Sequence, residues 1–504
     1  MRILSTLALA AALTSAPTAP AADRPSFVVF IADDVSWNDL GAYGNRAART
    51  PNIDRLAAEG LTFTNAFLTA SSCSPSRASI MTGRYPHNTG EASELHRPWA
   101  AHLPTFPELL AAAGYYTAQA GKYHMSQHEQ ADGSTRLSRA FEREEKETRV
   151  PGNSGGHGHW MSVTRERPRD RPFLLWLAAI DAHRAWDGDE EWDAEAYGPK
   201  HDPGSVIVPP FMVDTPSTRA DLASYYNEVT RFDHFVGLVV DELEKQGVLD
   251  DTVAVVMADN GRPFPRAKTR LHDAGMKTPL VVRWPGGARG RGETRNGLVS
   301  AIDLGPTFLD LAGVTPAETM QGVSVAAMLA GPGARPRRYA FSEHNWHDYE
   351  AHGRSLRDAE GFLYIRNARP RKAWLGPADS VSSPSHHDLL AAPNLTRAQA
   401  DVLLEPRPAE ELYFTPADPE QVRNLVTYPS RAEKLAELRR VMDEWQDVTR
   451  DSAPEDFTPD YFDRETGYRD KTTGKPVSEL RQPEHGDVPG HDRGAEHINE
   501  PGPR

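Results

Sequence analysis

The 504-residue chain has almost no cysteine: Cys73 is the only one. A single thiol excludes an internal disulfide, so packing alone must hold the fold. The interior of the sequence has no apolar run of the ~18 residues that span a membrane. Positive charge is in deficit, with 56 Lys+Arg against 71 Asp+Glu and a net charge of −15. That balance excludes the broad cationic face of a nucleic-acid binder. An anionic substrate would therefore be drawn in by local cations and not by the overall field. There is no internal repeat and no coiled-coil heptad. Aliphatic residues nearly vanish from residues 451–504, which predicts an extended or disordered tail.

The N-terminus carries Arg2, an apolar run over residues 3–13, then small residues and proline up to Ala22, with an A-x-A-like site at Ala19–Ala21. This is the pattern of a secretory signal over residues 1–22, and it predicts export to the periplasm or the extracellular space.

Beyond it the chain repeats one grammar. Apolar, β-branched runs at residues 26–32, 61–67, 115–120, 173–180, 252–258 and 279–283 read as buried strands. Helical patterns at 51–59, 104–113, 218–246 and 301–311 separate them, the first with Thr50 as N-cap before Pro51. Such alternation predicts an α/β fold with a mostly parallel sheet between helices, over residues 23–335. From 336 to 450 the grammar changes. Short strands near 338–344, 353–367 and 411–414 and a helix over 431–450 predict a smaller antiparallel subdomain with a closing helix.

The polar clusters fall at strand ends: Asp33-Asp34, Gly121-Lys122-Tyr123-His124, Asp181-Ala182-His183 and Asp259-Asn260-Gly261. In open parallel sheets ligands bind outside the carboxyl ends of the strands, so these clusters point to one shared site. Asp33, Asp34, Asp259 and Asn260 offer hard oxygen donors suited to Ca²⁺ or Mg²⁺, without the imidazole and thiolate that zinc prefers.

Residues 71–90 read S-S-C-S-P-S-R-A-S-I-M-T-G-R-Y-P-H-N-T-G. Pro75 suits the first position of a helix, whose free amides would face an anion at Cys73, with Arg77 adding a permanent charge. The pattern C-x-P-S-R followed by T-G-R resembles the signature of the type I sulfatases, in the alkaline-phosphatase-like superfamily. The resemblance covers residues 25–445, and the F-P-x-x-K/R wording after Asp259-Asn260-Gly261 looks most like the branch containing heparan N-sulfatase.

That resemblance implies that Cys73 is converted to Cα-formylglycine by a formylglycine-generating or anaerobic sulfatase-maturing enzyme. It implies Asp33, Asp34, Asp259, Asn260 and residue 73 as metal ligands. An oxygen from residue 73 and one from the substrate complete six donors, which favours Ca²⁺ over Mg²⁺. Arg77 and Lys122 would hold the aldehyde hydrate, His124 would act on it as base or donor, and His183 would protonate the leaving group. The family's D-P-H reads D-A-H here, with Ala182 in place of proline. Lys268, and not Lys277, matches the sulfate-binding lysine, with Arg266 as a weaker candidate.

The implied activity is sulfuric ester hydrolysis of a sulfated carbohydrate, with an N-sulfoglucosamine sulfohydrolase and a phosphonate or phosphate monoester hydrolase as alternatives. An inactive glycan-binding protein is a third reading, which the intact motif opposes. His96, Glu343, His344 and Arg354 are candidate sugar contacts, with Glu94, His347 and Asp348 in the same polar loops. The Gly/His run at 152–159 reads as a flexible loop in preference to a metal site.

Overall fold

The computed structural model describes residues 24–125, 140–149, 153–187, 192–464 and 484–504. The signal-like segment and Gly152 lie outside them.

The strands are β1 (Ser26–Ala32), β2 (Leu61–Phe63), β3 (Ala66–Phe67), β4 (Tyr116–Gly121), β5 (Arg143–Lys146), β6 (Phe173–Ala178), β7 (Thr252–Ala258), β8 (Leu280–Arg283), β9 (Glu293–Arg295) and β10 (Val299–Ser300). An eight-stranded sheet runs in the order β5-β4-β6-β1-β7-β8-β2-β9. From β5 to β7 every pairing is parallel, while β8 runs antiparallel to both β7 and β2. The expected run at 61–67 is split, because β3 leaves the large sheet to pair with β10.

Side chains alternate across a strand, so β1 feeds two cores. Phe27, Val29 and Ile31 pack on one face with Ile80, Met81, Phe106 and Phe308. Val28, Phe30 and Ala32 pack on the other with Trp160, Leu222, Val229, Phe232 and Val236. Covering both faces explains why β1 is apolar throughout, each large side chain contributing ~1.5–3 kcal/mol on burial.

The long helix Pro216–Lys245 begins at the N-cap Thr215, whose Oγ1 accepts the Thr218 amide at 3.0 Å. At Pro51–Glu59 the expected Thr50 cap is replaced. Asp233 of the long helix accepts the Asn52 and Ile53 amides at 3.2 and 2.8 Å, while Thr50 Oγ1 accepts from Gly41.

Four further strands, β11 (Tyr339–His344), β12 (Gly353–Asp358), β13 (Phe362–Asn367) and β14 (Glu410–Phe414), form an antiparallel sheet. The helix Ala432–Val448 lays Leu435, Leu438, Met442 and Trp445 on its Phe341, Leu356, Tyr364 and Leu412. Leu363, Ile365 and Tyr413 on the other face join the main core, so the second sheet is welded to the first.

The described parts of the 451–504 tail are not extended in solvent. Asp451 is buried against Arg354, Phe462 is buried, and Trp346 Nε1 donates to the Pro459 carbonyl at 2.9 Å. Arg84 donates to Ile498 O at 2.6 Å and Asn499 Oδ1 at 3.0 Å. Side chains of the body hold this segment by its polar groups, which substitutes for the missing aliphatics.

Candidate active site

Adjacent parallel strands β4, β6, β1 and β7 end in register, with Gly121 opposite Ala178, Ile31 opposite Ala178 and Ala32 opposite Ala258. The residues that follow each strand therefore meet at one edge of the sheet. Gly121 is required for this: its φ is 97°, and a Cβ there would lie 1.9 Å from the Ala178 carbonyl oxygen. Asp33 is fixed by its backbone, its amide donating to Asp181 O at 2.8 Å and its carbonyl accepting the Ala182 amide at 2.6 Å. Asp34, His124, His96 and Asp348 all hold left-handed φ values of 60°, 33°, 66° and 66°. Such conformations cost about 1–3 kcal/mol each in non-glycine residues and gather where side chains must be aimed.

The signature helix, Cys73–Thr82, begins two residues earlier than the proline suggests. Ser72 is the N-cap and Pro75 sits inside the first turn, where its missing N–H costs nothing. Cys73 is thus the first helical residue, with Sγ 3.7 Å from Asp33 Oδ1. Burial pushes its thiol well above the ordinary value, against the opposing pull of Lys122 and Lys268. A protonated thiol is a poor nucleophile.

Around it lies a shell of paired charges. Arg77 donates from Nε to Asp259 Oδ2 at 2.8 Å and from Nη1 to Lys122 O at 3.2 Å. Its Nη2 lies 2.7 Å from the same Asp259 Oδ2, so the guanidinium is committed to that carboxylate. Lys122 is ion-paired to Asp33. Burial alone would raise the Asp33 pKa, but Lys122, His183, Arg77 and Lys268 outweigh it and hold the carboxyl far below its ordinary value. Lys268 Nζ lies 2.9 Å from both Asp34 Oδ2 and Asp379 Oδ2. His183 is pushed down to about 4, by burial first and then by Lys268 and Lys122. Its Nδ1 pairs with Arg184 O, and its Nε2 is 3.7 Å from Asp379 Oδ2. His124 is also driven well below its ordinary value, by burial and then by Lys122, and its Nδ1 has no partner.

Asp33, Asp34 and Cys73 present ligand atoms within 4.8 Å of one another, and Asp34, His183 and Asp379 form a second such group. Asn260 Nδ2 donates to Asp34 Oδ1, while its buried Oδ1 has no partner. An orphaned acceptor beside buried carboxylates is what a cation-binding oxygen looks like before the ion is considered. The oxygens of Asp33, Asp34, Asp259 and Asn260 are of the chemical type that suits a hard divalent ion.

This cluster borders a cleft of about 930 Å³, which Asp33, Asp34, Arg77, Asp259, Asn260 and Lys268 themselves do not line because they are fully buried. Cys73, Lys122, His124, His183 and His96 line it, as do His347, Asp348, Trp186 and Tyr461. His96 thus sits where a substrate contact should, its ring 4.7 Å from that of His124. His347 and Asp348 of the same polar loops line it too, whereas Glu343, Arg354, His344 and Glu94 do not. Glu343 is buried on His87 at 2.6 Å, Arg354 is locked on Asp451 at 2.7 Å, and His344 packs on Tyr349. Glu94 is buried and accepts from Thr458 at 2.7 Å. Arg266 is paired with Asp401 at 2.7 Å, away from the cleft. Lys277 stacks on Trp37 at 4.1 Å, which leaves Lys268 as the lysine of the site. In the Gly/His run, His157 is buried 3.6 Å from Asp181.

Two contributors escaped the sequence reading. Asp379 comes from the short helix Ala378–Val381, far from any strand-end cluster. Arg231 of the long helix grips Asp181 at 2.6 and 2.8 Å and so fixes the segment bearing His183. No local signal marks either residue.

The family model described as Sulfatase matches residues 25–314. Human N-sulphoglucosamine sulphohydrolase is 32% identical over 484 residues, covering 85% of this chain and 91% of that protein. An ulvan-active sulfatase of Formosa agariphila is 28% identical over 480 residues, covering 86% and 76%. Among solved structures, BT4656 in complex with its substrate D-glucosamine-2-N,6-O-disulfate superposes with a TM-score of 0.62 at 20% identity, covering 84% of this chain and 98% of that one. The phosphonate monoester hydrolase of Agrobacterium radiobacter gives 0.60 at 18% identity, covering 86% and 98%.

Proposed function

The chain belongs to the sulfatase family and is a sulfuric ester hydrolase, and from that premise we propose that it is an exported enzyme removing sulfate from sulfated carbohydrate. The nucleophile in this reading is a formylglycine made from Cys73, and the cofactor is one Ca²⁺ ion. The observation that carries it is the meeting of Cys73, Lys122 and His183 in a single cleft, with Asp33 buried against Cys73 and Lys122 and Arg77 buried against Lys122. Within sulfated carbohydrates we favour N-sulfated glucosamine. The likeness to the human sulphohydrolase, which extends over 91% of that protein, supports this choice.

Each residue has a task set by its position. Arg77 and Lys122 converge on residue 73 and orient groups attached there. Asp33, Asp34, Asp259 and Asn260 would hold the ion, which supplies positive charge against the sulfate oxygens. A formylglycine hydrate supplies an attacking hydroxyl and, afterwards, a second hydroxyl whose deprotonation lets sulfate leave, a route closed to a thiol. His183 faces the leaving group. Burial and then the charges of Lys268 and Lys122 depress its pKa. An anion in the cleft beside Lys122 opposes the charge part, which favours the protonated imidazole that gives its proton to the departing oxygen or nitrogen. His124, with an unpartnered Nδ1 beside Lys122, is placed to take a proton from residue 73.

Sulfate release from a panel of defined sulfated oligosaccharides, including N-sulfoglucosamine, tests the reading. Release from at least one member, with N-sulfoglucosamine preferred, is the expected result. Turnover of phosphate or phosphonate esters with none of the sulfates would overturn it. Export predicts a mature N-terminus at Ala22 or Asp23 in the native host, and an intact Met1 would count against it.

A further inference from the structure

Lys268 is 1% exposed and does not line the cleft, whereas Asp379 does. The Asp379 carboxylate, 2.9 Å from Lys268 Nζ and 3.7 Å from His183 Nε2, thus stands between that ammonium and the lumen. Other cations reaching the cleft are matched in the same way. Lys122 is paired with Asp33, and Arg184 is held by both oxygens of Asp221 at 2.7 Å. Asp348 adds a further carboxylate to the lining, and Glu147 lines it together with Arg149. Asp379 comes from the helix Ala378–Val381, beyond the residues matched by the family model.

A sulfate monoester carries one negative charge and a phosphate monoester carries nearly two above its second pKa of about 6. We propose that Asp379 is a specificity-determining residue, which makes the cleft select a monoanionic sulfate or sulfamate over a dianionic phosphate by withholding part of the Lys268 charge. The inference rests on the sulfatase reading of the site and deepens it. A fixed carboxylate beside the ammonium repels each added unit of substrate charge, so the second charge of a phosphate is disfavoured relative to a monoanion.

The test compares phenyl sulfate with phenyl phosphate at about pH 8, in wild-type protein and in Asp379→Asn. In wild type the sulfate should be favoured in kcat/KM. The variant should move the sulfate-to-phosphate ratio toward phosphate by about tenfold, the effect of one unit charge at intermediate range. Asp379→Glu should restore the ratio. A fold defect lowers both substrates together and leaves the ratio unmoved, and an unmoved ratio overturns the proposal. Asp379→Ser carries the same test if the Asn variant does not fold. Calorimetric dissociation constants of the two phenyl esters on Cys73→Ser protein give a readout independent of turnover. The same ratio shift there supports the role of Asp379 even if wild type proves inactive on sulfates, an outcome that would sink only the proposed function. Equal ratios with and without Asp379, or no binding of phenyl sulfate, would refute the inference.

Discussion

Arg77 and Asp259 form an ion pair with both side chains at 0% exposure, the Arg77 Nη2 lying 2.7 Å from Asp259 Oδ2. It ties the signature helix to the end of β7 and stands one residue from Asn260. A buried pair of this kind contributes little net stability, but breaking it from one side leaves a charge uncompensated. Arg77→Ala should therefore cost about 3–5 kcal/mol in denaturant unfolding. Sulfate-ester turnover should fall at least ~10²-fold, since a preorganised donor is lost as well. Arg77→Lys keeps the charge but not the fork, so it should recover stability more than activity.

The orphaned Asn260 Oδ1 and the Asp33–Asp34 cluster predict a bound divalent ion. Elemental analysis of protein from the native host should find one Ca²⁺ per chain, and Asn260→Ala should lose it. Chelation should lower the thermal midpoint, because an ion at 100 times its Kd stabilises by about 2.7 kcal/mol. Added Ca²⁺ should restore the midpoint, and Asn260→Ala should respond to neither treatment.

Acid should destabilise the junction between the two sheets. Burial alone would raise Glu411, but Arg407 at 2.9 Å and His272 outweigh it and bring its pKa down to about 2. Its contribution is full above the unfolded value of 4.5 and is lost as pH falls toward 2. His272 is pushed down to about 4, by burial first and then by Arg266. The unfolded chain takes up that proton below 6.5, so stability also falls between 6.5 and 4. Each group accounts for about 3 kcal/mol at most. Unfolding free energies measured from pH 7 to pH 3 should decline through both windows, and Glu411→Gln should flatten the lower one.

Arg84, at the end of the T-G-R motif, donates to Asn88 O at 2.8 Å and to the backbone carbonyls of Glu496 and Ile498 at 3.2 and 2.6 Å. Arg84→Ala should leave these acceptors unpaired, at about 1–3 kcal/mol for each that water does not reach. Limited proteolysis should then cut within 484–504 before the rest of the chain, whereas wild type should resist there.

The candidate metal ligands and the cations beside them are legible because a buried strand is apolar on both faces, and its end is marked by the first polar residues. Asp33, Lys122, His183 and Asp259 announce themselves in that way. Polar loops carry no such mark of burial. Glu343 and Arg354 read like sugar contacts, yet Arg354 meets Asp451, 97 residues away, inside the second sheet's packing. The anchoring of residues 451–464 and 484–504 has no local mark either, since the anchors are side chains of distant residues such as Arg84 and Trp346. Asp379 and Arg231 escaped because their roles exist only once the helices that carry them are docked.

The account turns on Cys73 being a precursor. A mass spectrum of the peptide bearing residue 73, from enzyme purified in active form from the native host, tests this most directly. The account predicts formylglycine at that position. Unmodified cysteine throughout a preparation that still releases sulfate would contradict it.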